Sequence, residues 1–210
     1  MNRAFTILTA LTLAAAAAAQ VTPFPMTANR AATGLFFFDQ TAMTSPGQIF
    51  LHYGAPEWKE DYEKYLTGDK AQTMRLGKDW WATLDVTLPL TLGQTRVPSG
   101  IYYLGLHKTE KGQWQLMLLD PKEIRKKKAH PGMTPGLTAG LNVDLDYRKF
   151  DKSADKLSID IKASKSDPSV GTMVIHWGNH LLRAPVKAHF GGKKAIEAAG
   201  KKGAKKGGKK

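Results

Sequence analysis

LDVTLPLTL, residues 84–92, repeats with a period of two: Leu84, Val86, Leu88, Leu90 and Leu92 share one parity, and Asp85, Thr87 and Thr91 the other. Successive side chains of an extended chain point to opposite faces, so this run reads as strand with one oily and one wet face. Pro89 falls on the wet parity, where the lack of an N–H marks an edge strand or a bulge. The same alternation returns at Leu141, Val143, Leu145 and Tyr147, and again at Leu157, Ile159 and Ile161, while residues 48–53 add another strand. Residues 101–107 and 113–119 flank a Thr-Glu-Lys-Gly turn and read as a hairpin. Residues 172–177 and 181–186, on either side of Gly178-Asn179-His180, read as a second. Many short strands divided by turn residues predict an all-β fold, an antiparallel β-sandwich or barrel.

One segment departs from that period. Trp58, Tyr62, Tyr65 and Leu66 recur at helical spacing between Pro56 and Gly68, which predicts one short amphipathic helix covering an end or edge of the sheet. Residues 129–140 (AHPGMTPGLTAG) hold too many Gly and Pro for a regular element and read as a long surface loop.

The flanks have a different composition. Arg3 precedes an apolar and small-residue run from Ala4 to Ala19 that ends in alanines, the pattern of a cleaved signal peptide over residues 1–19. The expected location is therefore extracytoplasmic, periplasmic or secreted. Residues 20–33, with Pro23 and Pro25, read as an extended lead-in, residues 34–190 as the β-sandwich domain, and residues 191–210 as a disordered tail of Lys, Gly and Ala. The chain contains no cysteine, which excludes disulfide stapling, thiol chemistry and thiolate metal sites. Of the net charge of +13, the tail alone contributes +7. Lys193, Lys194, Lys201, Lys202, Lys205, Lys206, Lys209 and Lys210 form a polycation suited to sequence-blind, salt-dependent binding of a polyanion: extracellular DNA, anionic polysaccharide or lipid headgroups. Arg125-Lys126-Lys127-Lys128 is a second basic run, expected as a solvated turn.

The order of short motifs resembles a known family. SPGQIFLHYGAP (45–56), Arg75-Leu76-Gly77, VTLPLTLGQTRVPSGIYYL (86–104), the tryptophan strand at 113–118 and MVIHWGNHLLRAPV (173–186) are similar to segments of the secreted bacterial family called domain of unknown function 2911. The resemblance implies export and a β fold; His52 and Arg75 lie in its matching segments and are candidate ligand-binding residues if they and the loop at 129–140 converge on one cleft. Ala55 stands where that family usually has Arg, and Gly77-Lys78-Asp79 replaces its Gly-Ala-Asn.

Candidate chemistry is sparse. Trp80 and Trp81 would point to opposite faces of a strand, so one of them, with Trp58 and Tyr62, could form a sugar-stacking platform; otherwise the short helix covers the outer indole in a second apolar cluster. Asn142, Asp144 and Asp146 share an outward face near Asp160, and two carboxylates about 5–9 Å apart could hydrolyse a glycoside. The same row is also what a solvated sheet face looks like. Histidines 107, 130, 176, 180 and 189 show no metal-ligand spacing, and no cofactor is expected. Two functions follow: an exported non-catalytic binding or structural protein with a polyanion-binding tail, or an extracytoplasmic hydrolase using sheet-face carboxylates.

Overall fold

A computed structural model describes residues 30–191. The leader at 1–19, the lead-in up to residue 29 and all eight tail lysines lie outside the described residues. The chain runs β1 (Arg30–Asp39), β2 (Thr44–Gly54), a 3-10 turn (Glu60–Tyr62), α1 (Glu63–Thr67), β3 (Gln72–Arg75), β4 (Thr83–Val86), β5 (Leu90–Leu92) and β6 (Thr95–Val97). It continues through β7 (Gly100–Lys108), β8 (Trp114–Leu119), α2 (Pro121–Lys126), a 3-10 segment (Pro131–Gly136), β9 (Leu141–Ala163) and β10 (Val170–Ala188).

The strands hydrogen-bond in the order β1-β2-β4-β7-β8-β9-β10-β5-β6, with β3 on β7 beyond β4. All pairings are antiparallel and the path does not close, so the fold is an all-β sandwich rather than a barrel. β9 belongs to both layers: Leu141–Leu145 pairs with β8, and the stretch from Asp146 to Ala163 pairs with β10. Residues 84–92 cross between layers too. Leu84 and Val86 lie in β4, Leu90 and Leu92 in β5, and the bend at Thr87–Pro89 hands the chain over while all five apolar side chains stay buried. Tyr53 of β2 ties the layers together: its Oη accepts from Ile159 N at 2.8 Å and donates to Ile159 O at 3.4 Å. Burial pushes that phenol's pKa up.

A second cluster lies on the outer face of the first layer. Trp81, Tyr103, Met117 and Leu119 pack there under Ile124 of α2 and Ala129. α2 starts at Asp120, whose carboxylate accepts from Lys122 N, with Pro121 at the first helical position. That pairing suits helix initiation because proline loses no bond there and its φ is already helical. Arg125 to Lys128 are exposed at its end, as the basic run implied.

Several expectations need correction. Residues 30–33 are not lead-in but the start of β1, a strand that periodicity did not indicate. The hairpin expected around Gly178 is one continuous strand, β10, with register shifts between His176 and Gly178 and between Gly178 and His180. Gly178 sits at φ 55°, a left-handed conformation that bulges the strand instead of reversing it. The segments at 141–147 and 157–161 are likewise one strand, β9. The helix after Pro56 is shorter than its spacing implies, because Trp58 precedes the 3-10 turn and Lys59 is extended. The loop at 129–140 includes a 3-10 segment whose buried Thr134 hydroxyl donates to Pro131 O at 2.6 Å. Thr134 packs so close to Gly105 that a Cβ there would meet its methyl at 2.8 Å.

Candidate functional site: an internal relay and an open groove

The bulge at Gly178 decides which side chains β10 turns inward. Before it the buried positions are odd (Met173, Ile175); after it the even positions His180, Leu182, Ala184 and Val186 are buried, joined by Leu181 beside the bulge. His180 thereby enters the interior, with a side chain only 2% exposed. Its Nε2 lies 2.8 Å from Glu63 Oε2, and its Nδ1 lies 2.9 Å from Tyr147 Oη. A carboxylate can only accept, so Nε2–H donates to Glu63 and, in the neutral ring, the Tyr147 hydroxyl donates to Nδ1. Lys149 Nζ donates to the other Glu63 oxygen at 2.9 Å. Three rings roof this relay: Trp58 meets Trp177 edge-on at 5.3 Å and His180 at 5.4 Å, and Tyr62 meets Trp177 at 4.5 Å.

Lys149 and His180 hold the Glu63 carboxyl below the usual carboxylate range, mainly through their hydrogen bonds. Burial raises the Tyr147 phenol. The relay thus joins a protonated phenol and an ionised carboxylate through the His180 ring. Beside it lies a cavity of about 40 Å³ lined by Arg75, Leu76, Trp177 and His180, among others. That is room for a few waters and not for a substrate. The relay's role in the structure is to lock α1 onto β9 and β10.

These ionisations set a pH response. A depressed carboxyl stabilises the fold above its unfolded pKa and loses that contribution as pH falls through the folded value. Burial, then the Arg30 charge, lowers His52; burial, then Arg96 and Lys187, lowers His189. For a histidine lowered in the fold, the unfolded chain binds more protons below the model value of 6.5, so acid again favours unfolding. Acidification should therefore lower Tm in two stages: one from pH 6.5 downward from the histidines, and one below 4.5 from Glu63 and Asp167. Differential scanning calorimetry across pH tests this, and Glu63→Gln should shrink the lower stage alone, leaving the part due to Asp167, whose carboxyl the Ser169 hydrogen bonds also hold low. A flat Tm between pH 7 and 4 would contradict it.

The other sequence-identified residues fall apart from one another. Register puts His52 and Arg75 on the outer face of the first layer, His52 opposite Thr83 and Arg75 opposite Gly105. His52 Nε2 accepts from Arg30 Nε at 3.0 Å, and Arg30 reaches the Trp81 carbonyl at 3.4 Å, while Arg75 lines the small cavity by His180. Trp80 is 46% exposed and Trp81 1%, so the two indoles do part company, although in an irregular segment and not a strand. α2, not the helix near Trp58, covers Trp81. Trp58 packs with the main core, on Gly178 and Trp177. Trp58 does lie beside Tyr62, ring centroids 6.1 Å apart, while Trp81 belongs to the outer cluster, apart from them.

The larger concave surface is a groove that sequence reasoning reached only through Asp144 and Asp146. One hollow of about 480 Å³ is lined by Gln94, Gln113, Trp114, Asp144, Asp146 and Arg183, among others. A neighbour of about 650 Å³, with His107, Glu110 and Lys111, shares Gln113 and Asp144 with it. Gln115 Nε2 donates to Asp144 at 2.7 Å, and Arg183 Nη2 to Asp146 at 2.7 Å. Trp114 Nε1 and Arg183 Nε are buried donors that meet no protein acceptor. Both belong to residues lining the same hollow.

Among the described residues, no three His, Asp or Glu side chains gather as a metal site, and no helix is long and apolar enough to cross a membrane. No protein-family model, curated protein or solved structure matches the chain.

Proposed function

We propose that this chain is an exported, non-catalytic β-sandwich binding protein whose domain takes a neutral, hydroxyl-bearing ligand in the groove beside Trp114 and Arg183, and whose lysine-rich tail holds polyanions. The observation that carries the groove is its lining, where Gln94 and Arg183 offer N–H groups beside the Asp144 and Asp146 carboxylates. Asp144 and Asp146 supply acceptors on the same surface. A wall offering both donors and acceptors suits hydroxyl groups, which give and take hydrogen bonds, better than it suits a simple anion. The resemblance to domain of unknown function 2911 belongs to this reading as support for export.

Calorimetric titration with a panel of neutral oligosaccharides tests the groove. Gln94→Ala removes an exposed amide from the lining, so it should weaken binding by up to about tenfold, the worth of one hydrogen bond. No heat with any sugar, or unchanged affinity in the variant, would overturn the groove assignment. Heparin retention tests the tail: removing residues 191–210 should abolish it, and unaltered elution would show that the lysines hold no polyanion. The hydrolase reading rests on the same hollow, since Asp144 and Asp146 both line it. Release of reducing ends from those oligosaccharides, lost in Asp144→Asn, would replace the binding reading with that one.

A further inference from the structure

We propose that two copies of this chain associate edge to edge through β1, antiparallel, about a twofold axis at Leu35. β1 bonds β2 on one side and no described strand on the other. Its sequence, RAATGLFFFD, has no charge and no proline between Ala31 and Phe38. Sheets normally blunt a free edge with lysine, proline, a bulge or brevity, because an unpaired row of N–H and C=O groups will template another strand. The opposite end of the path obeys that rule: β6 has three residues, includes Arg96 and is followed by Pro98. β3 has four residues and lies against the 3-10 segment at 131–136. β1, with ten residues, is the one long strand whose outer edge pairs with no described strand, although β9 packs against it and its register with β2 shifts between Phe37 and Asp39.

The outer face of β1 carries both a knob and a hole. Phe36 is 66% exposed and stacks on the exposed Phe38, with ring centroids 6.5 Å apart. Next to them a hollow of about 270 Å³ lies over Gly34, walled by Ala32, Phe36, Gln48 and Phe50. Antiparallel pairing with Leu35 opposite its own copy sets Phe36 across from Gly34 and Phe38 across from Ala32. Each large ring then covers a position with little or no side chain on the second copy, and the operation repeats the contact in reverse. The same register brings Arg30 at one end beside Asp39 and Gln40 at the other end of the partner copy, so opposite charges meet at both ends. A twofold interface requires this self-complementarity.

The test is the molar mass by light scattering of the full chain and of the chain without residues 1–29, across a dilution series. Both should be dimers. Phe36→Lys with Phe38→Lys places charge on an exposed face and should return a monomer with an unchanged far-ultraviolet dichroism spectrum. The chain has no cysteine, so Leu35→Cys gives a single thiol, which should oxidise to a covalent dimer, whereas Thr41→Cys should not. A monomeric full chain, or a dimer that survives both lysines, overturns the proposal. So does a dimer lost on removing residues 1–29, which would assign association to the leader. A monomer that becomes a dimer on that removal would show that the chain's own residues 20–29 occupy the edge, and would equally overturn it.

Discussion

Gly178→Ala should destabilise the protein by about 2–5 kcal/mol, from two costs that act together. The first is backbone: φ at 55° is left-handed, where a Cβ crowds the following carbonyl and costs about 1–2 kcal/mol. The second is space. A Cβ at Gly178 would lie 2.5 Å from two carbons of the Trp58 indole and 2.7 Å from a third. The indole would have to leave, and it is edge-packed on Trp177 and lies over His180. Overpacking of this kind costs about 1–3 kcal/mol. At about 2–4 °C per kcal/mol, Tm should fall by roughly 4–20 °C, and the tryptophan emission should shift as Trp58 becomes wetter. Gly112→Ala separates the two costs, since Gly112 has φ 79° with open space where its Cβ would go. Equal losses in the two variants would mean that the indole contact contributes nothing.

Gly178 also shows where the sequence is legible and where it is not. Parity in residues 84–92 reads correctly because every side chain there answers to one question, which face is wet. Gly-Asn-His between two apolar runs carries the same local signal whether the chain reverses or bulges. Only the partner strand decides, and β9 runs past both halves without a break. A trace of the bulge is nonetheless present: the apolar parity is odd at Met173 and Ile175 and even from Leu182, a change of face that the irregularity at Gly178 produces. β1 escaped because Phe36-Phe37-Phe38 does not alternate, although only Phe37 is buried. α2, six residues long, spans too few residues to show helical period. The relay was not readable at all. Glu63 and His180 are 117 positions apart, and neither lies in a motif that names the other. The groove's lining comes from β8, β9, β10 and the turn after β5, a meeting that only the assembled layers produce.

The division of the interior into two clusters leads to the second large effect, Trp81→Ala. Trp81 lies parallel to the Tyr103 ring at 5.2 Å, and with Met117 and Leu119 it forms the surface on which Ile124 and Ala129 rest. Removing a fully buried tryptophan costs about 3–5 kcal/mol, through lost transfer energy and the cavity left behind. The loss should not spread evenly. β9 and β10 pack in the main core, which excludes Trp81, whereas α2 reaches the sandwich through Ile124 and Pro121 as its only buried residues. With the indole gone, residues 121–139 should open on their own well before the sandwich unfolds, as a unit held by few apolar contacts does. Amide exchange would show protection at 121–139 falling steeply while β9 and β10 keep theirs against the same global loss. Tyr103→Phe retains the stacked ring and deletes only the hydroxyl that accepts from Arg125 at 3.3 Å, so it should leave that segment closed. Uniform loss of protection across all strands in Trp81→Ala would mean that the outer cluster and the inner core unfold as one body, and that α2 is integral to the sandwich instead of a cover upon it.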